Sequence, residues 1–197
     1  MSRAGGLGRL RADGSGTTAV EFAIVAMPFL MLLLFVFELS YDLFSQCVLD
    51  NALQLAARQL QTGNAQNVQN GNDFIVKYLC PDLNGLLMCS NVYVEVQRIA
   101  PSPAQDYWDY TTGSAPVSGG TLDLSSYDTG SFCNSGPSQL LLVSAVYVGP
   151  SFIGGLLPGV FSATYNSSLV HPTFSSVGIV SEGYRPSAAT QGAAKSC

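Results

Sequence analysis

Few residues of this chain have the type and spacing that catalysis or metal binding requires. The one histidine, His171, precedes a proline, and the closest carboxylates, Asp106 and Asp109, flank Trp108 in a stretch rich in Pro, Gly and Ser. The sequence has no Cys-x-x-Cys pair for zinc, and no nucleophile-elbow, dinucleotide-binding or P-loop spacing. We therefore predict that the chain is not an enzyme and has no metal site and no cofactor.

Glu21 is the ionisable residue that stands out, because it opens a long apolar run. Between residues 19 and 39 the charged residues are Glu21 and Glu38 alone. A carboxylate at the edge of a membrane segment is costly and often has a function. If the chain is cut after Gly16, Thr17 becomes an amino terminus four residues from Glu21, on the same helix face. This ammonium group can neutralise Glu21 of the same subunit or of a neighbour in a packed array of helices.

The apolar run at residues 19–39 is long enough to be a transmembrane helix. About 20 residues that each rise 1.5 Å cross a hydrocarbon core of about 30 Å. Three arginines precede the run, and the next basic residue after it is Arg58. This asymmetry predicts a cytoplasmic N-terminus and an exported C-terminal part. No small-x-small cleavage site follows the run, so we expect the helix to remain on the mature protein.

The helical pattern continues beyond the membrane run as an amphipathic stretch. Apolar residues recur at intervals of three and four up to Ala56, and polar residues occupy the other face. Gly63 and Asn64 predict the end of the helix. We predict one helix over residues 17–62 whose second half lies against the exported domain. Two helices separated near Ser40 are the alternative.

The exported domain is expected at residues 63–173. Residues 91–99 and 161–170 alternate between apolar and polar side chains, and residues 139–148 are more continuously apolar, so each segment predicts a strand. A short helix is expected over residues 73–79, with Asn72 as its cap. We predict the α+β class, with the long helix packed on a small antiparallel sheet. Residues 174–197 are expected to be a mobile C-terminal tail.

The net charge argues against nucleic acid as a partner. The chain carries a formal charge of −5, and residues 1–16 contain three Arg and one Asp, so their removal leaves −5 − 3 + 1 = −7. A protein that follows a phosphate backbone needs a basic surface. We therefore expect no binding of nucleic acid by the exported domain.

The residues around Gly16 resemble the processing site of type IV prepilins, in which a glycine is followed by four residues, a Glu-Phe pair and a hydrophobic helix. Here the pair is Glu21-Phe22. The continuation through the leucine-rich run to Asn51–Arg58 resembles the TadE-like family, the minor pilins or pseudopilins of the Tad (Flp, tight-adherence) pilus. The resemblance covers residues 14–62 and is weaker around residues 74–97 and 161–174. Major Flp pilins are far shorter, so the resemblance does not indicate the bulk filament subunit.

The resemblance implies a type IV pilin-like fold and a defined set of partners. Residues 1–16 would be a leader that prepilin peptidase removes by cutting between Gly16 and Thr17, with Glu21 and Phe22 completing the site. Other pilins and pseudopilins of the pilus, and the assembly platform of the bacterial inner membrane, would be the remaining partners. The exported domain would lie in the periplasm, or outside the cell within a pilus that mediates adherence. The alternative is a singly anchored periplasmic binding protein that joins no filament.

A long segment at residues 101–137 separates the first two predicted strands. It contains four prolines, five glycines and several aromatic residues. Loops of this length are usually functional or disordered. It is either a flap that covers the domain or a contact surface for partners, for which the candidate residues are Tyr107, Trp108, Tyr110 and Tyr127.

Five cysteines in an exported chain indicate disulfides. Cys80 and Cys89 flank a turn-forming stretch, in the region where the TadE-like family often has a paired-cysteine segment, and we predict that they are bonded. Cys133 and Cys197 are a second candidate pair, although four exported cysteines allow three connectivities. Cys47, on the helix, is either a buried apolar residue or a bridge between subunits.

Overall fold

The computed structural model describes residues 15–65, 68, 70–83, 85–99, 116–128, 132, 139–156 and 162–181. The helices are α1 (Ser15–Gln61), α2 (Gly71–Phe74), which continues as a π-helical turn (Ile75–Leu79), and α3 (Ser125–Asp128), and a 3-10 turn (Cys89–Asn91) precedes the first strand. The strands are β1 (Val92–Ile99), β2 (Val117–Ser118), β3 (Thr121–Leu122), β4 (Leu140–Pro150), β5 (Ala163–Tyr165) and β6 (Ser168–Val180). The chain divides into two compact units, one ending at Ser40 and one beginning at Tyr41. We refer to them as the N-terminal segment and the C-terminal domain.

The N-terminal segment is the first part of α1. This part contains Pro28, which has no backbone N–H to donate to the helix. At its end, Ser40 donates a hydrogen bond from Oγ to the carbonyl oxygen of Val36 at 2.7 Å. Among the described residues, α1 is the one helix long and apolar enough to cross a membrane. The helix continues without interruption to Gln61, as predicted, and the alternative of two helices separated near Ser40 is not observed.

The C-terminal domain is built on the second part of α1. One face of this part is buried against β1 and β4, and its side chains recur at intervals of three and four residues, as the sequence predicted. The buried helix residues are Leu49, Ala52, Leu53, Ala56, Ala57 and Leu60. Their sheet partners in the same core are Val92, Val94, Val96, Leu141, Val143 and Ala145. The α+β class is therefore confirmed. Helix α1 ends just before Gly63, whose φ of 81° suits glycine.

The sheet has six strands in the order β1-β4-β6-β5-β3-β2. Strand β4 lies between β1 and β6 and is antiparallel to both. Strand β3 runs parallel to β5, with Thr121 beside Thr164 and a hydrogen bond of 2.8 Å from the Thr164 amide to the Gly120 carbonyl oxygen. The prediction of a purely antiparallel sheet was wrong, since the sheet is mixed. Strands of two residues are too short to show an alternating pattern in the sequence.

Three predicted elements have different bounds in the structure. The third strand is divided into β5 and β6 by a turn at Asn166 and Ser167, whose φ values are 48° and 64°. Strand β6 then continues to Val180, so the first residues of the expected tail are strand. The short helix begins at Gly71, and its cap is Asn70 instead of Asn72, because Asn70 Oδ1 accepts the Asp73 amide at 2.8 Å.

A second apolar core lies on the other face of the sheet. The hairpin β2–β3 and helix α3 cover this face, and the buried residues are Leu122, Leu124, Tyr127, Val146, Val148 and Ala163. Residues 116–128 of the predicted long loop are therefore ordered and form part of the domain. Residues 101–115, 129–131 and 133–137 lie outside the described residues.

Candidate functional site

The predicted cleavage site lies in the first two turns of α1. Gly16, Thr17, Glu21 and Phe22 are all helical and exposed to solvent. A Cβ atom built on Gly16 would have no atom within 4 Å, so packing does not require a glycine there. Glycine inside a helix costs about 0.5 to 1 kcal/mol relative to alanine. The fold therefore gives no reason for Gly16, whereas recognition by a processing enzyme would.

Thr17 and Glu21 are one helical turn apart. Residues four positions apart face the same side of a helix, and both side chains are exposed. In the uncut chain the nitrogen of Thr17 is a peptide nitrogen without charge. Cutting after Gly16 would therefore create the positive charge beside Glu21. This pairing stays a prediction.

The apolar side chains of the N-terminal segment surround the helix. The exposed large residues are Val20, Phe22, Ile24, Val25, Met27, Phe29, Leu30, Met31, Leu32, Leu33, Leu34, Phe35, Val36, Phe37 and Leu39. A helix that is apolar on every side is stable in a bilayer or among other helices, because removing apolar surface from water lowers the free energy by about 25 cal/mol per Å². The segment is therefore consistent with a single-pass membrane anchor.

Polar contacts join the start of the helix in the C-terminal domain to β4 and β6. The hydroxyl oxygens of Tyr41 and Tyr147 are 3.4 Å apart, and His171 Nε2 is 3.2 Å from Asp42 Oδ1. Gln46 donates from Nε2 to the Phe174 carbonyl oxygen at 2.8 Å. Burial, and then the bond with Tyr41, raises the pKa of Tyr147 to about 12. Sequence reasoning missed the Asp42–His171 pair because its members are far apart in the chain.

Cys80 and Cys89 lie at the two ends of a compact loop beside the first core. Their Cα atoms are 5.7 Å apart, within the range that a disulfide requires, and the structure bonds their sulfur atoms. Gly85, with a φ of 70°, reverses the chain between them. The pairing stays a prediction until it is measured. Cys47 is exposed on α1, and Cys133 and Cys197 lie outside the described residues.

The candidate contact aromatics are only partly described. Tyr127 lies in α3 and is buried in the second core. Tyr107, Trp108 and Tyr110 lie outside the described residues. Their role as a contact surface stays a prediction.

Glu95 is a buried carboxyl that the alternation of β1 does not reveal. The pattern places it on the more polar face of β1, but its side chain is 5% exposed, and α3 packs against β1. Burial raises the pKa of Glu95, and a hydrogen bond with Gln97 opposes the rise. Burial, and then the charge of Glu95, raises the pKa of Tyr127 to about 12. The Oε2 atom of Glu95 accepts no hydrogen bond from the part of the chain that the structure describes.

An open groove of about 420 Å³ lies beside the outer strand β1. Its polar lining consists of Asn70, Asn72, Ser90, Tyr93 and Tyr127. Amides and hydroxyls can form hydrogen bonds to a ligand, but this lining contains no histidine or carboxylate for acid–base catalysis.

Residues 16–58 match the family model of the TadE-like protein. The match includes the predicted cleavage site, the whole apolar run and the first turns of α1 in the C-terminal domain. The resemblance inferred from the sequence is therefore confirmed over this part of the chain. Searches of curated proteins and of solved structures found no match.

Proposed function

From the similarity of residues 16–58 to the TadE-like family, we propose that this chain is a minor pilin or pseudopilin of a Tad-type pilus. It is a structural subunit and not an enzyme. Its apolar helix is held first by the inner membrane and then by the helices of other subunits, while the C-terminal domain forms the specific contacts that assembly and adherence require.

The contrast between the two parts of α1 carries this proposal. Before Ser40 its large apolar side chains are exposed on every side, whereas after Tyr41 one face is buried in the core of the C-terminal domain. A helix of this kind can leave lipid for a bundle of like helices without unfolding its own domain, because the domain core involves only the second part. This is the property that a subunit inserted from a membrane into a filament needs.

Processing is the first step of the proposed function. Prepilin peptidase, on the cytoplasmic side, cuts between Gly16 and Thr17, and Phe22 completes its recognition site. The new ammonium group of Thr17 then pairs with Glu21 of the same or a neighbouring subunit and sets the register of the helices. In the apolar surroundings of a helical array such a pair is strong, since an isolated carboxylate there is costly.

The location follows from the same sequence asymmetry. The arginines before the apolar run stay in the cytoplasm, and the C-terminal domain is exported to the periplasm or carried outside the cell in the pilus. The exported side is oxidising, which suits a bond between Cys80 and Cys89. The assembly platform and the other pilins are the expected partners there.

Sequencing the mature N-terminus tests the proposal. Protein from piliated cells should begin at Thr17, and protein from cells without prepilin peptidase should keep the leader. A mature chain that keeps its leader in the presence of the peptidase would contradict the pilin role. That result would favour a singly anchored binding protein instead.

Glu21→Gln tests the charge pairing separately from cutting. We expect normal cutting but little incorporation into sheared pili, because the new amino terminus has no carboxylate partner. Glu21→Asp is the control, since it keeps the charge and should retain more incorporation. Equal incorporation of the wild type and Glu21→Gln would refute the pairing.

A further inference from the structure

The turn at residues 151–156, directly after β4, presents two large apolar side chains to solvent. Phe152 is 65% exposed and Leu156 is 56% exposed, whereas Ile153 between them is buried. The turn is therefore attached to the domain through Ile153. A contiguous exposed apolar surface can mark a site that meets a membrane or a partner.

The turn has a fixed shape. The Gly154 amide donates to Ser151 Oγ at 3.0 Å, and the Leu156 amide donates to the Ile153 carbonyl oxygen at 2.8 Å. A Cβ atom on Gly154 would lie 2.7 Å from Ser162 Cβ, so only glycine fits there. The two apolar side chains are thus held outward by the backbone.

The turn lies beside the residue that follows the apolar run. The ring of Phe152 meets the ring of Tyr41 edge to face, with centroids 5.5 Å apart. Tyr41 is two residues after Leu39, the last residue of the run, and two residues span at most about 7 Å. The headgroup layer of a bilayer is roughly 5 to 7 Å thick on each side. Phe152 is therefore within reach of that layer if the run spans the membrane.

The chain segment that contains the turn carries no Asp, Glu, Lys or Arg. This segment lies between Asp128 and Glu182. Phe and Leu are typical of the apolar face of segments that lie in the membrane–water boundary, and binding there grows with the apolar area that is buried. The chemistry of this surface therefore fits lipid.

We propose that the 151–156 turn is a second contact between the chain and the bilayer, in which Phe152 and Leu156 enter the headgroup layer. This contact restrains the C-terminal domain at the membrane surface until the subunit leaves for the pilus. The contact itself requires that the apolar run spans a membrane, and its release on entry into the pilus rests on the proposed function. Because the surface has no basic residues, the contact does not depend on anionic lipid.

Tryptophan quenching by brominated lipid tests the proposal. The chain contains a single tryptophan, so Trp108→Phe gives a background in which one new tryptophan reports its own surroundings. Phe152→Trp is the test and Phe29→Trp, within the apolar run, is the positive control. Each full-length variant is placed in phosphatidylcholine nanodiscs at one copy per disc, with bromine near the headgroup or deep in the acyl chains.

Val180→Trp is the matched negative control. Val180 is apolar and 52% exposed, which is comparable to the 65% of Phe152. It pairs with Leu140, at the end of β4 opposite the 151–156 turn. Ten residues of strand, about 33 Å, separate that pair from Pro150. We expect the tryptophan at position 152 to lose emission with shallow bromine, the one at 29 with deep bromine, and the one at 180 with neither.

The outcomes separate this inference from the proposed function. If position 29 is not quenched, the apolar run does not insert and the pilin proposal fails with it. If position 29 is quenched while 152 behaves like 180, insertion stands and the lipid contact is refuted. If position 152 changes only when several copies share a disc, the turn contacts a second copy and the lipid assignment is wrong.

A measurement on the unaltered chain covers the case in which Phe152→Trp does not fold. A lipid with a photoactivatable group near its head is incorporated in the nanodiscs, and labelled peptides are identified by mass spectrometry. In a chymotryptic digest, which separates the two regions, we expect label in the peptides that cover residues 151–156 and none in the peptide that contains Val180. Equal labelling of the two peptides would overturn the proposal.

Discussion

Leu53→Ala tests the packing of α1 on the sheet, on which the whole C-terminal domain depends. Leu53 is 0% exposed and belongs to the core shared by α1, β1 and β4. Shortening a buried leucine to alanine removes its transfer free energy and leaves a cavity, which together cost about 3 kcal/mol. For a domain of this size each kcal/mol lowers Tm by roughly 2 to 4 °C, so Tm should fall by roughly 6 to 12 °C.

Leu55→Ala is the matched control. Leu55 is two residues away on the same helix but 44% exposed. Both substitutions change helix propensity equally, so the difference between them isolates burial. A substitution at the surface changes stability by about 0.5 kcal/mol, and Tm should hardly move.

The assay is thermal unfolding of the full-length chain in detergent micelles, followed by near-ultraviolet circular dichroism of the tyrosines. Detergent keeps the apolar run covered and the protein monomeric, so that contacts between subunits do not obscure the result. Equal Tm values for the two variants would refute the assigned helix face. A larger loss for Leu55→Ala would mean that α1 is rotated about its axis.

Three further predictions concern the C-terminal domain. The double variant Cys80→Ala, Cys89→Ala should have a free energy of unfolding lower by about 2.6 kcal/mol, the value that the loop-entropy model gives for a separation of nine residues. Under reductant the variant and the wild type should be equally stable. Equal stability without reductant would argue against the bond. Glu95→Gln should raise Tm at pH 7. Burial raises the pKa of Glu95 in the folded state above its ordinary value of 4.5. The wild type therefore has its full stability below pH 4.5 and loses part of it as the pH rises through the folded pKa, whereas the glutamine variant does not. The gain should vanish below pH 4.5, and a gain that persists there would contradict it. In an alkaline titration followed by tyrosinate absorbance at 295 nm, Tyr147 should ionise near pH 12. Tyr147→Phe should therefore remove an absorbance step at high pH. Loss of a step at lower pH would refute the burial of Tyr147.

The sequence was sufficient for the elements whose signal is local. The apolar run and the amphipathic part of α1 are long and periodic, and β1 and β4 show clear alternation or continuous apolarity, so their positions were predicted closely. The predicted cleavage motif and the resemblance to TadE-like proteins are equally local, since their residues are adjacent in the chain. These features depend on neighbouring residues alone.

Only the tertiary structure decided the features that join distant residues. Strand β3 lies parallel to β5, Asp42 meets His171, and Phe152 meets Tyr41, all across more than 40 residues of chain. The alternation of β1 placed Glu95 on its more polar face, but the tertiary structure buries its side chain, and α3 packs against this strand. A pattern in one strand reports which side is more apolar, but what covers the other side depends on segments elsewhere in the chain.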